Sequence, residues 1–195
     1  MPAASKERWL DEGLAMLAET GISGVTIDAL SRRLGLTKGS FYHHFKGLHG
    51  YRADLLQHFE KRESQAFIDL VEALPVDDGA GKLRALIEAA VADEASVNLE
   101  PRVRIWASHD DLARACIERV DAQRVEYLRR QCRAITDSEL ADQTGTMIYL
   151  VGIGSGHIVP PLPVGEQVRL CERLISDLEA TGTASRSDGT EGSNS

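Results

Sequence analysis

The stretch from Thr26 to Lys46, TIDALSRRLGLTKGSFYHHFK, limits the fold more than any other part of the chain. A threonine opens each half, Gly35 separates them, and apolar positions recur at helical intervals, the pattern of two short helices joined by a tight turn. Thr26 caps the first, with Asp28 in its opening turn where a negative charge suits the helix dipole; Ile27 and Leu30 face inward. Thr37 caps the second. Phe41 and Phe45, one turn apart, anchor it while the residues between them point outward. The stretch from Thr37 to Lys46 also holds Lys38, Ser40, Tyr42, His43 and His44, more hydrogen-bond donors than a purely structural helix needs.

That arrangement is a helix-turn-helix, in which the first helix braces and the second lies in the major groove of DNA. Thr37 offers a hydroxyl and nearby backbone N–H groups to a phosphate. Gly39 weakens the helix but lets backbone approach another surface closely. Lys38 and Ser40 point the same way, Tyr42 and His43 reach phosphate or base, and Lys46 completes a phosphate clamp. With Thr26, these seven are the candidate DNA contacts. His44, between Tyr42 and Phe45, is read as a closer choice between contact and packing.

Charge agrees with a small basic reader on an acidic body. The 195-residue chain carries a net charge of -8, which disfavours non-specific coating of nucleic acid. Its first 50 residues hold six Lys or Arg against five Asp or Glu, so the deficit lies elsewhere. A content of 43% hydrophobic residues with only 6 Pro suits helices better than a turn-rich sandwich, and the length is ample for a sizeable core.

Helical periodicity continues on both sides. Ser5 caps a first helix carrying Trp9, Leu10, Leu14 and Leu17 inward, ended by Gly21. From about residue 48 to 74 one long connector helix is expected, with Leu56, Phe59, Ala66, Phe67, Leu70 and Leu74 on one side; at about 1.5 Å per residue it would run roughly 40 Å. Pro75 to Gly79 break it. Amphipathic segments follow at about 80–95, 101–108 with Pro101 at a helix start, 110–135, 138–157 and 164–180. The expected division is a DNA-binding domain over 1–47, a helical body over 48–180 and a disordered tail over 181–195, where no apolar residue larger than alanine occurs.

Cys116, Cys132 and Cys171 are widely spaced and form no CxxC pair, so neither a disulfide framework nor a zinc site is indicated; each reads as a small buried hydrophobe. No metal and no cofactor is expected. The opening residues lack the apolar run of a signal peptide, which points to the cytoplasm. From Thr144 to Gly165 the chain has no formal charge if His157 is neutral, yet four glycines and Pro160, Pro161 and Pro163 interrupt it, so a buried interface helix is preferred to a membrane span. Gly152 to Gly156 follows no strand and lacks a Lys-Ser/Thr ending, so it is not read as a phosphate loop.

Gly21, Thr26, Gly35 and the run from Thr37 through Lys46 stand where the TetR family of bacterial transcriptional regulators has its signature, and the segment resembles that family's DNA-binding domain over about residues 8–56. Leu34, where the family often has alanine, and Gly47-Leu48-His49-Gly50, in place of a charged capping sequence, depart from it. The resemblance implies an all-α fold, a three-helix headpiece with a six-helix ligand-binding and dimerisation body. It also implies a small-molecule effector pocket, for which Trp106, His109, Tyr127, Met147, Tyr149 and His157 are the candidates.

One headpiece makes few base contacts, so proteins of this kind read palindromic operators as two-fold homodimers. The last two helices offer the interface: Leu140, Met147, Val151, Gly152 and Gly156 on one, Val168, Cys171, Leu174, Ile175 and Leu178 on the other. The leading function is a regulator, most simply a repressor released by its effector. An adaptor acting through a protein partner, and a helical enzyme or ligand-binding protein with a vestigial headpiece, are the alternatives. No nucleophile–base pair or cofactor loop supports catalysis.

Overall fold

The structure, a computed structural model, describes residues 5–92, 96–136 and 139–188. Among these residues the chain is all-α: α1 (Lys6–Thr20), a 3-10 turn (Ile22–Gly24), α2 (Ile27–Leu34), α3 (Lys38–His44), α4 (Gly47–Glu60), α5 (Ala66–Glu72), α6 (Gly79–Ala92), α7 (Ser96–Ala107), α8 (Asp111–Ile135), α9 (Glu139–Ser155) and α10 (Val164–Asp188). A π-helical turn, Lys61–Gln65, fills the interval between α4 and α5. The expected class, a three-helix headpiece followed by a helical body, is the one adopted. None of the described helices is long and apolar enough to cross a membrane.

Packing divides the chain into two units, but not after residue 47. The first runs to Gln65 and takes in α7 and α8 as far as Val120; the second comprises α5, α6 and the chain from Asp121 onward. Three short helices bury too little apolar surface to stand alone. Leu55, Leu56 and Phe59 of α4, Val103 and Trp106 of α7, and Cys116 and Val120 of α8 therefore complete the headpiece core. Each such side chain contributes about 1.5–3 kcal/mol when buried.

At the centre of the first unit Tyr51 lies fully buried and donates from its hydroxyl to the Trp9 carbonyl at 2.8 Å. Gly13 makes this approach available, since a Cβ there would stand 1.9 Å from the Tyr51 hydroxyl. Phe41 meets Trp9 edge-on at 5.5 Å, Tyr51 at 5.3 Å and Phe45 at 5.0 Å between ring centres, which locks α3 to α1 and α4.

The connector expected over 48–74 is helical as far as Glu72, but it is not one regular helix. A π turn spends an extra residue, which shifts the phase of everything after it. Val71 is consequently buried, whereas Leu70 and Leu74, expected inward, are 53% and 39% exposed. The same turn buries Glu63 and Ser64. Pro101 lies inside α7 rather than at its start. As the sixth residue of the helix it lies past the first turn and forgoes one backbone hydrogen bond.

In the second unit, Leu83, Ile87, Leu128, Cys132, Ala141, Ile148, Cys171, Ile175 and Leu178 form the core. Arg84 of α6 ties to α10 through Glu172 at 3.1 Å and Glu179 at 2.9 Å. The tail expected to be disordered from residue 181 is helical to Asp188; residues 189–195 lie outside the described residues. The reason is backbone packing that needs no large side chain. Gly182 is buried against the Ile135 carbonyl, 3.0 Å from where its Cβ would be, and the Thr181 and Thr183 hydroxyls donate back to the carbonyls of Asp177 and Glu179.

Candidate nucleic-acid interface

The turn between α2 and α3 is built as its sequence requires. Thr26 accepts from the Ala29 N–H at 3.2 Å and Thr37 from the Ser40 N–H at 3.2 Å, each satisfying a donor that a helix start leaves open. Between them Gly35 takes a left-handed conformation, φ 65°, and the Leu36 N–H returns to the Ser31 carbonyl at 2.9 Å. That closes α2 in a Schellman turn, which a side chain at residue 35 would strain.

With Phe41 and Phe45 buried, the rest of α3 faces solvent. Thr37, Lys38, Gly39, Tyr42, His43 and Lys46 are exposed and Ser40 is half-buried, with Tyr42 presenting 59% of its surface. Thr26, also exposed, caps the neighbouring helix. All eight sequence candidates thus lie on α2, α3 and their flanks with accessible polar atoms. A cap hydroxyl that accepts from backbone still has its own proton to donate, so capping and phosphate contact are compatible for Thr26 and Thr37.

The charges around this face are not all equally available. Arg33 pairs with Glu12 and Glu19 of α1, which raises its pKa and holds the Glu19 carboxyl below the usual carboxylate range. Lys38 pairs with Asp28, and that hydrogen bond raises its pKa. Lys46 and Arg32 make no ion pair among the described residues. His43 and His44 stack edge to face at 5.1 Å, and the half-buried His44 ring also meets Phe45 at 6.1 Å, which favours a packing role for His44.

Residues 10–47 match the family model described as bacterial regulatory proteins, tetR family. Over those residues the chain is similar to the DNA-binding segment of that family. The HTH-type transcriptional regulator BetI of Vibrio parahaemolyticus is 22% identical over 147 residues, covering 73% of each chain, and BetI of Vibrio vulnificus is 22% identical over 147 residues, covering 73% of this chain and 74% of its own. A transcriptional regulator from Rhodococcus sp. Rha1 has the same fold with a TM-score of 0.71 at 14% identity, over 90% of this chain and 96% of that one. So does a regulator from Saccharomonospora viridis in complex with choline, with a TM-score of 0.71 at 16% identity over 88% and 95%. The similarity to regulators thus covers the helix-turn-helix in sequence and most of the chain in fold.

The six residues expected at a TetR-family effector pocket are not brought into one site. Trp106, buried, and His109, exposed, belong to the first unit; Tyr127, Met147, Tyr149 and His157 belong to the second. Tyr127 is buried beneath the Arg130 guanidinium, 5.0 Å above its ring, and burial pushes its phenol pKa up. Tyr149 donates to Asp121 at 2.5 Å. His109 meets the Ser108 hydroxyl at 2.7 Å, and Asp110 beside it caps α8 through the Ala113 N–H at 3.0 Å. Met147 and His157 are exposed.

A cavity of about 100 Å³ lies instead in the first unit, lined by Leu14, Ala15 and Ala18 of α1, Leu99 of α7 and Arg62 of the π turn. None of the six expected residues borders it. Sequence periodicity offered no signal for it, because the π turn that places Arg62 leaves no mark in an apolar pattern.

The expected interface residues also divide. Cys171, Ile175 and Leu178 are internal core, with Val151 of α9 and Val168 and Leu174 of α10 packed against it, because the stripe on α10 faces α6 and α9 of the same chain. Leu140 and Met147 are 47% and 43% exposed, and added Cβ atoms on Gly152 and Gly156 would meet nothing within 4 Å. Gly145 points the other way, where a Cβ would come 2.7 Å from the Arg129 backbone nitrogen.

Proposed function

We propose that this protein is a ligand-responsive transcriptional repressor that binds a palindromic operator as a homodimer in the cytoplasm and is released by a small-molecule effector. The observation that carries the reading is the exposed polar face of α3, held by Phe41 and Phe45, with Lys46, which makes no ion pair among the described residues, just beyond its end. Two such faces, one per protomer, would meet successive major grooves about 34 Å apart.

The proposed two-fold face uses the solvent side of α9 and α10 rather than the stripe in the core. Leu140, Met147 and Leu150 of α9 and Leu170 of α10 are large, apolar and exposed, and the open glycines of α9 allow a partner helix close approach. Such a face is a liability in a monomer and gains stability in a bundle of four helices.

The Saccharomonospora viridis relative in complex with choline supports ligand binding by this fold. In this chain a cation is not the favoured class: an arginine stands at the cavity in the first unit, and another already occupies the Tyr127 ring.

Fluorescence anisotropy with duplexes from the protein's own promoter region and scrambled duplexes, across a salt series, tests the reading. Tighter binding to the promoter duplex is expected; equal affinity for both would sink specific recognition. An effector that leaves DNA affinity unchanged, with a protein partner recovered by pull-down, would replace release by an adaptor mechanism.

A further inference from the structure

The cavity beside the π turn has a composition that selects a ligand. Its floor is apolar, made by Leu14 and Leu99, both almost wholly buried, and its rim is small, made by Ala15 and Ala18. The one polar side chain in the lining is Arg62. Arg62 is half-buried, with its Nε 3.3 Å from a carboxylate oxygen of the buried Glu63. A guanidinium carries five N–H donors, so a contact through Nε leaves the terminal nitrogens with donors for a second anion. The acids of α1 nearest this site are engaged elsewhere: Asp11 with His58, and Glu12 and Glu19 with Arg33.

We propose that this cavity binds a short aliphatic monocarboxylate, its chain between Leu14 and Leu99 and its carboxylate on Arg62. Size sets the length. An apolar cavity of about 150 Å³ holds benzene, so one of about 100 Å³ holds a body of roughly three or four carbons. The proposal rests on the ligand-responsive reading only for its consequence. α1 forms one wall, and α1 also holds α3 through the Trp9–Phe41 contact. A ligand held between α1 and α7 therefore touches the helix on which the DNA-reading face is mounted.

Both tryptophans of the chain, Trp9 on α1 and Trp106 on α7, sit on the two helices that line the site, so intrinsic fluorescence of the full-length protein reports occupancy without DNA. Butyrate is the probe, with butylamine and 1-butanol as chain-matched controls and isothermal calorimetry as a second readout. Saturable butyrate binding is expected, at least tenfold tighter than either control. Arg62→Met and, separately, Ala18→Leu, which fills the rim, each weaken it at least tenfold while the helical circular dichroism is kept. Absence of butyrate binding overturns the site, as does equal binding of butylamine or an Arg62→Met protein that binds unchanged. The amine comparison needs no variant to fold. Because the titration omits DNA, its failure leaves operator recognition standing, and loss of operator recognition leaves the site standing.

Discussion

Gly13 and Tyr51 show how closely single residues fix the headpiece. Gly13→Ala would put a Cβ on the Tyr51 hydroxyl, and overpacking of a filled core costs about 1–3 kcal/mol. Tyr51→Phe removes the bond to the Trp9 carbonyl and should cost about 1 kcal/mol. In the double variant the tightest clash, with the hydroxyl, is gone, while Leu55 Cδ1 at 2.9 Å and the Tyr51 ring carbon at 3.0 Å remain, so the two losses should add to less than their sum in urea denaturation; strict additivity would contradict the packing described. Roles of this kind were legible only where they are local. The caps at Ser5, Thr26 and Thr37 follow from residue type and spacing, and the structure has each accepting a backbone N–H three residues on. The Lys38–Asp28 and Tyr51–Trp9 pairs depend on the angle between helices, which no spacing encodes.

Among elements, helix order was readable because amphipathic periodicity survives in sequence, while the π turn at Lys61–Gln65 was not, because it breaks phase without any glycine or proline to mark it. The exposed Leu70 and buried Val71 are its signature. Leu70→Gln should therefore change stability by less than about 0.5 kcal/mol and Val71→Ala by about 1–3 kcal/mol, measured by denaturation. The C-terminal end of α5 is held in the second unit by Glu72, which accepts from Lys82 of α6 at 2.6 Å and from Gln131 of α8 at 3.4 Å. The Lys82 hydrogen bond lowers the Glu72 pKa from its usual 4.5. A carboxyl whose folded pKa is depressed stabilises the fold above the unfolded value and loses that contribution as pH falls through the lower, folded value. Thermal stability should drop below about pH 4.5, and Glu72→Gln should remove part of that drop while lowering stability at neutral pH. An identical acid profile in the variant would show that the carboxylate is not coupled to folding.

For the molecule as a whole, the reader was legible and the body was legible only in outline. The signature from Thr37 to Lys46 combines cap, glycine, aromatic anchors and bases at fixed offsets, so one sequence suffices. An apolar stripe, by contrast, says only that a helix face is covered, not by what. Cys171, Ile175 and Leu178 therefore read equally well as interface or core, and their burial within one chain decides for core. If the proposed two-fold face lies on the exposed side, Leu150→Glu should convert dimer to monomer in light scattering without loss of helicity; an unchanged mass would move the interface elsewhere.

In the proposed regulator α3 reads a specific operator. The most direct measurement is the salt dependence of binding to the promoter duplex for the natural protein, Tyr42→Ala and Lys46→Ala. Tyr42→Ala should weaken binding by about 1–3 kcal/mol if it reaches a base edge, and Lys46→Ala should weaken it with a salt slope shallower by about 1 per protomer, as loss of one phosphate contact requires. Variants that bind the promoter duplex with natural affinity and slope would contradict the account.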